Sequence, residues 1–187
     1  MNSCRRCLGM WRIRLHDLDL EMAYVITTRR QQHKRELAVK TQKYDRKRTD
    51  WEIAFYGFMG EVAVARALCI PVDTTVLAGG DGGVDLVING ETLQVKTHLS
   101  NATKNFLYFD NEDKLSCDFG ILCNVDRDDT TVLIRGALSR EDFIHKAGIR
   151  NFGYGERLAV HASELFSMDG LIRSIQSHNE LTIGEPC

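Results

Sequence analysis

Between residues 84 and 97 apolar and polar residues alternate on either side of an Asn-Gly pair, and this pattern predicts a β-hairpin. Residues 84–88 and 92–97 read as its strands. Asn89-Gly90 forms the turn, because both residue types tolerate the positive φ angles of a two-residue connection. The preceding segment has a different rhythm. Apolar Trp51, Phe55, Phe58, Val62, Ala65 and Leu68 recur at helical spacing, with Thr49 or Asp50 as a cap and Pro71 as the stop. Residues 17–47 also read as helix, since they contain neither Gly nor Pro and many good helix formers. Further strands are expected at 119–125, 131–136 and near 158–160, with a short helix after Ser139 and a last one near 168–177.

This order predicts an α/β (α+β) chain in which a central mixed sheet is flanked by helices. Residues 1–48 are expected to form an N-terminal helical basic arm, and residues 49–187 one domain. Composition changes little in that picture: 43% hydrophobic and 27% charged residues suit a globular chain. The six cysteines are scattered, mostly in apolar runs, which fits buried thiols in a reducing cytoplasm. Cys4 and Cys7 have no second ligand pair nearby and read as incidental thiols in a frayed terminus. No segment is apolar enough for a signal peptide or membrane span, so a cytoplasmic protein with no membrane partner is expected.

Charge distribution says more than net charge. The stretch from residue 29 to 48 holds nine basic residues, Arg29, Arg30, Lys34, Arg35, Lys40, Lys43, Arg46, Lys47 and Arg48, against Glu36 and Asp45. Its local charge of +7 leaves −9 on the remainder of a chain whose net charge is −2. Such a segment suits a phosphate backbone, although a solvated helical face has the same composition.

The hairpin register concentrates chemistry. With Asn89-Gly90 as the turn, Ile88 pairs with Glu91, Val87 with Thr92, Leu86 with Leu93 and Asp85 with Gln94. Val84, Leu86, Ile88, Leu93 and Val95 are then expected to share a core face, while Asp85, Gln94, Lys96 and His98 share the other. A carboxylate, an amide oxygen and an ammonium on one face suit a hard divalent cation and a water held by lysine; a solvated hairpin face is the plain alternative. Glu61 is a further candidate, because it stands on a helix among Gly57, Phe58, Val64 and Ala65, where a buried carboxylate needs a partner. Gly57 and Gly60 each cost a helix interior about 1 kcal/mol relative to Ala, which a close approach to the sheet would explain.

A helical Glu61, a strand-initial Asp85 and the triplet Gln94-Val95-Lys96 together resemble the PD-(D/E)XK nuclease superfamily over residues 50–98. Gln94 stands where the family usually has an acid, and Val84 where its name has proline. The resemblance implies a restriction endonuclease-like core and metal-dependent hydrolysis of phosphodiesters, with DNA the expected polymer and 5′-phosphate ends. It implies Mg²⁺, with Mn²⁺ able to substitute, held by Asp85, Gln94, the Val95 carbonyl and Glu61. Catalysis falls to Glu61, Asp85, Gln94 and Lys96, with Asp81 a weaker stand-in for the missing acid. Family members that cut both strands often dimerise, so a homodimer is among the implied partners. The alternative is a nuclease-like module, catalytically inactive, that binds nucleic acid or serves assembly. Oligomerisation through helix 17–47 ranks below both, because Leu18, Met22, Val25 and Val39 leave its middle polar. The run Asn151-Phe152-Gly153-Tyr154-Gly155 could stack on bases, but reads first as a loop packed by its own rings.

Overall fold

Trp11, Ile13 and Leu15 are buried while Arg12, Arg14 and His16 are exposed, so the chain enters the described fold as an alternating strand. The computed structural model describes residues 4–7, 10–37, 48–76, 83–99, 105–126, 130–153 and 155–183. Strands β1 (Cys4–Cys7) and β2 (Met10–Arg14) pair with each other, and β2 joins the main sheet. The frayed terminus expected at Cys4 and Cys7 is therefore corrected. The alternation was present in the sequence, but five residues give a weak signal until a neighbouring strand accepts them.

Helix α1 (Asp17–Glu36) comes next, then α2 (Asp50–Leu68). The helix expected to reach residue 47 ends at Glu36, where His33, Lys34 and Arg35 complement the negative end of its dipole. Residues 38–47 lie outside the described residues. Thr49 caps α2 as expected: its hydroxyl accepts from the Glu52 amide, and the Glu52 carboxylate accepts from the Thr49 amide. The helix stops ahead of Pro71, because Cys69 turns left-handed (φ 56°) and the Ile70 amide closes back on the Ala65 carbonyl.

The remaining elements are β3 (Leu86–Ile88), β4 (Glu91–Leu99), β5 (Phe106–Phe109), β6 (Phe119–Val125), β7 (Thr131–Ser139), α3 (Arg140–Lys146), β8 (Gly148–Asn151), β9 (Glu156–His161) and α4 (Met168–Ile183). The main sheet runs β1-β2-β7-β6-β4-β3, with β4 and β6 parallel and the other neighbours antiparallel. A smaller antiparallel sheet runs β5-β9-β8. Strands β5 and β8 had no period-2 signature, since β5 is wholly apolar and β8 is exposed along its length. The class is mixed α/β, a mixed sheet flanked by helices.

Two apolar layers lie on opposite faces of the main sheet. One joins α2 and the start of α4 to Leu93, Val95, Ile121, Cys123, Val125 and Ile134. The other joins Leu122 and Leu138 to Leu107, Phe109, Leu115, Phe143 and Val160. The stretch before residue 48 was expected to be a helical arm. It places β1 and β2 in the sheet, and Ala23 and Ile26 of α1 in the first apolar layer. Among the described residues no helix is long and apolar enough to cross a membrane.

Candidate functional site

The hairpin has the expected turn and the first three pairs: Ile88 with Glu91, Val87 with Thr92 and Leu86 with Leu93. Asn89 (φ 52°) and Gly90 (φ 87°) supply the two positive φ angles. The fourth pair, Asp85 with Gln94, does not form. Instead the Asp85 amide donates to the Leu93 carbonyl (2.9 Å), and its carboxylate accepts from the Val95 amide (2.6 Å). A side-chain oxygen has replaced a main-chain carbonyl in the ladder, which ends the pairing and opens a fork between β3 and β4. Within a strand a residue's N–H and C=O leave from the same edge, so the Val95 carbonyl also faces this fork.

Gln94 and Lys96 project from the sheet face opposite α2. Gln94 is only 7% exposed. The amide orientation that satisfies its surroundings has its nitrogen donating to the Lys114 carbonyl (3.0 Å) and its oxygen accepting from Lys96 Nζ (3.2 Å). Lys96 Nζ also lies 5.0 Å from the centre of the Phe109 ring. Gly83, at φ +91°, packs beside this amide. A Cβ there would stand 3.1 Å from the end of Gln94 and 2.9 Å from Ser116 Oγ, so space and backbone angle both ask for glycine. The Cys117 thiol donates to the Gly83 carbonyl (3.0 Å). Burial pushes that thiol up to about 11, and the nearby Asp85 and Asp118 carboxylates add to the rise.

Glu61 sits in the helical layer on the other face. Its carboxylate meets Arg30 Nη1 at 3.6 Å. Arg30 also donates to the Asp73 and Thr75 carbonyls (3.1 and 3.2 Å) and lies over the Phe58 ring. Of the nine basic residues proposed to grip a backbone, Arg30 thus ties α1 to α2 and to the segment beyond α2. Arg29 and Arg35 are exposed, Lys34 and Arg48 half-buried, and Lys40, Lys43, Arg46 and Lys47 lie outside the described residues. Asp81 lies outside them too. Gly60 has the close approach its cost implied, since a Cβ there would collide with Thr97 Oγ1, which also contacts the Gly57 carbonyl (3.4 Å); a Cβ on Gly57 would meet open space, so the expectation is corrected for that glycine.

The structure therefore brings Asp85, the Val95 backbone, Gln94 and Lys96 together around one strand segment. It holds Glu61 against Arg30. Among the described residues no three His, Cys, Asp or Glu side chains gather as a metal cage. Sequence reasoning missed the Lys114 carbonyl, Phe109 and Ser116, which come from the β4–β6 crossover and have no fixed spacing from the hairpin. No protein-family model matches the chain, and no curated protein matches it in sequence.

Proposed function

We propose that the chain is a metal-dependent nuclease whose reaction centre is the fork between β3 and β4. The observation that carries this reading is the 2.6 Å bond from the Val95 amide to the Asp85 carboxylate, with Gln94 and Lys96 flanking it on β4. The order of α2, the β3–β4 hairpin and the parallel strand β6 is compatible with a restriction endonuclease-like core. The donor set at the fork is one carboxylate, one main-chain carbonyl and one amide oxygen, hard ligands that fit Mg²⁺ or Mn²⁺. Asp85 and the Val95 carbonyl would hold the ion. The Gln94 oxygen would join them by turning from Lys96, and Glu61 only by exchanging Arg30. Bound there, the ion would polarise the scissile phosphate of DNA and offset negative charge.

The chain's own groups do the rest. Lys114 fixes the Gln94 amide, and that amide steadies the Lys96 ammonium beside the Phe109 ring. A cation held in this way orients a water for attack on phosphorus and stabilises charge building on the phosphoryl oxygens. The water oxygen bonds to phosphorus as the bond to the 3′-oxygen breaks. The ends are a 5′-phosphate and a 3′-hydroxyl. A homodimer would let two such centres cut two strands.

A second reading, a nuclease-like module that binds without cutting, is favoured by the Gln94–Lys96 contact and by Glu61 being engaged elsewhere. Cleavage of linear, circular and branched DNA, with Mg²⁺, Mn²⁺ or EDTA, separates the two. Metal-dependent cutting that falls at least about a hundredfold in Lys96→Ala and Asp85→Asn, with unchanged circular dichroism, supports the nuclease. DNA retained but intact under every condition leaves the binding module.

A further inference from the structure

The first sixteen residues hold Arg5, Arg6, Arg12 and Arg14 and neither Asp nor Glu, so they carry +4 and leave −6 on the rest of a chain of net charge −2. Strand β2 turns Trp11 and Ile13 into the apolar layer shared with α2 and leaves Arg12 and Arg14 exposed on its other face. Successive outward positions on a strand stand about 7 Å apart. Arg5 of β1 is the register partner of Arg12. Other arginines are committed within the fold: Arg30 to Glu61, Arg66 to Asp19, Arg140 to the Leu115 carbonyl and Arg157 to Asp110. Among the described residues neither Arg12 nor Arg14 makes a side-chain hydrogen bond or an ion pair.

The strand register carries one row from Arg12 through Leu133 on β7 and Asn124 on β6 to His98 on β4. Residues in a row share a face, and His98 is two residues beyond Lys96, so the arginines look out from the same side of the sheet as Lys96. Over β6 that side is covered, where Leu122 packs with Leu107, Phe109 and Val160 of the smaller sheet. Over β2 it is open: Arg12 and Arg14 are exposed and Leu133 is half-buried. Three strand spacings, roughly 14 Å, separate β2 from β4.

We infer that the open face of β2 is a seat for the phosphate backbone of duplex DNA, gripped by Arg12 and Arg14. Charge complementarity selects this occupant. A duplex carries one negative charge per ~1.7 Å of axis, and a guanidinium that the protein leaves unbonded keeps its donors for phosphate oxygens. The face offers cations and, with Trp11 turned inward, no ring for an unpaired base. Such contacts give affinity and orientation without sequence choice. The inference names the substrate class of the centre proposed above and rests on that reading for the fate of the bound duplex. Over the roughly 14 Å between β2 and β4, a duplex presents about eight phosphate charges.

The test is metal-free binding, measured by anisotropy of a labelled DNA duplex, a single strand of equal length and polyglutamate, all in EDTA over a salt series. The wild-type protein is compared with Arg12→Gln/Arg14→Gln, Arg12→Lys/Arg14→Lys and, on α1, Arg29→Gln/Arg35→Gln. These four side chains are exposed, so unchanged melting temperatures are expected in every variant. Duplex should bind at least about fivefold tighter than single strand. The β2 glutamine pair should lose at least about tenfold in affinity and flatten the log–log salt slope by roughly 2, about one per arginine. The lysine pair should retain most of the binding, and the α1 pair should lose less than the β2 pair. A β2 glutamine pair indistinguishable from wild type, a loss confined to the α1 pair, or single strand bound as tightly as duplex overturns the seat. Polyglutamate bound as tightly as duplex also overturns it and marks an acidic protein as the partner. Duplex held through Arg12 and Arg14 but never cut would keep the seat and discard the nuclease; cutting and binding both indifferent to the β2 pair would do the reverse.

Discussion

A carboxylate that completes a strand's hydrogen bonding is positioned by the backbone itself. Asp85 is held by a main-chain amide at 2.6 Å, so its second oxygen keeps a fixed direction with no help from a ligand. Gln94 has a different constraint, because its oxygen serves Lys96 and its nitrogen the Lys114 carbonyl. Gln94→Glu should strengthen the contact with Lys96 and add the negative charge the fork lacks, at the loss of the bond to Lys114. The Mg²⁺ concentration giving half-maximal cleavage should fall severalfold, read from a metal titration beside wild type. Cys117 gives a pH prediction at the same scale. Folding raises its thiol from an ordinary 9.0 to about 11, so the folded state holds that proton more tightly than the unfolded one. The resulting stability is whole below pH 9 and is lost as pH climbs from 9 toward 11. Melting temperatures across pH 8–11 should fall more steeply for wild type than for Cys117→Ser.

At the scale of elements, α2 and β4 meet through the absence of a side chain. Gly60 lets the helix lie against Thr97, and the same approach brings Thr97 to the Gly57 carbonyl. Gly60→Ala should cost about 1–3 kcal/mol through overpacking, despite alanine's better helix propensity. Removing the obstructing hydroxyl as well, in Gly60→Ala/Thr97→Ala, should recover part of that loss in urea unfolding. A single substitution that raised the melting temperature would sink this account. The hairpin turn and the start of α2 needed no such partner to be foreseen. Asn89-Gly90 and the Thr49/Glu52 pair act over a few residues, and β3–β4 and α2 have the expected turn, register and start. By contrast, where Asp85 leaves the ladder depends on the carboxylate out-competing a carbonyl, which residue alternation does not encode.

For the whole molecule, residues 10–15 are structural. Strand β2 pairs with β7 along Trp11 to Arg14 and buries Trp11 and Ile13, with Leu15 buried just beyond. Removing residues 1–15 should bare the β7 edge and forfeit the burial of three large side chains, at roughly 2 kcal/mol each. That is most of an ordinary domain's stability, so the truncated chain should lose its cooperative melt and scatter light. A truncated chain that melts cooperatively near the full-length temperature would restore the view that this stretch is an appended arm.

The features legible in the sequence alone are those that act at short range: the hairpin turn and its first three pairs, the cap of α2, the short helix after Ser139, and the alternation that puts Gln94, Lys96 and His98 on one face. They rest on φ preferences, side-chain caps and a period of two. The tertiary structure decided which groups reach each other across long separations. Arg30 took Glu61 from thirty-one residues away, the Lys114 carbonyl took the Gln94 amide, and β2 found β7 more than a hundred residues along the chain. Those choices depend on the geometry of packed layers and on the cost of leaving a buried charge or strand edge unsatisfied, terms that exist only once the chain has closed on itself.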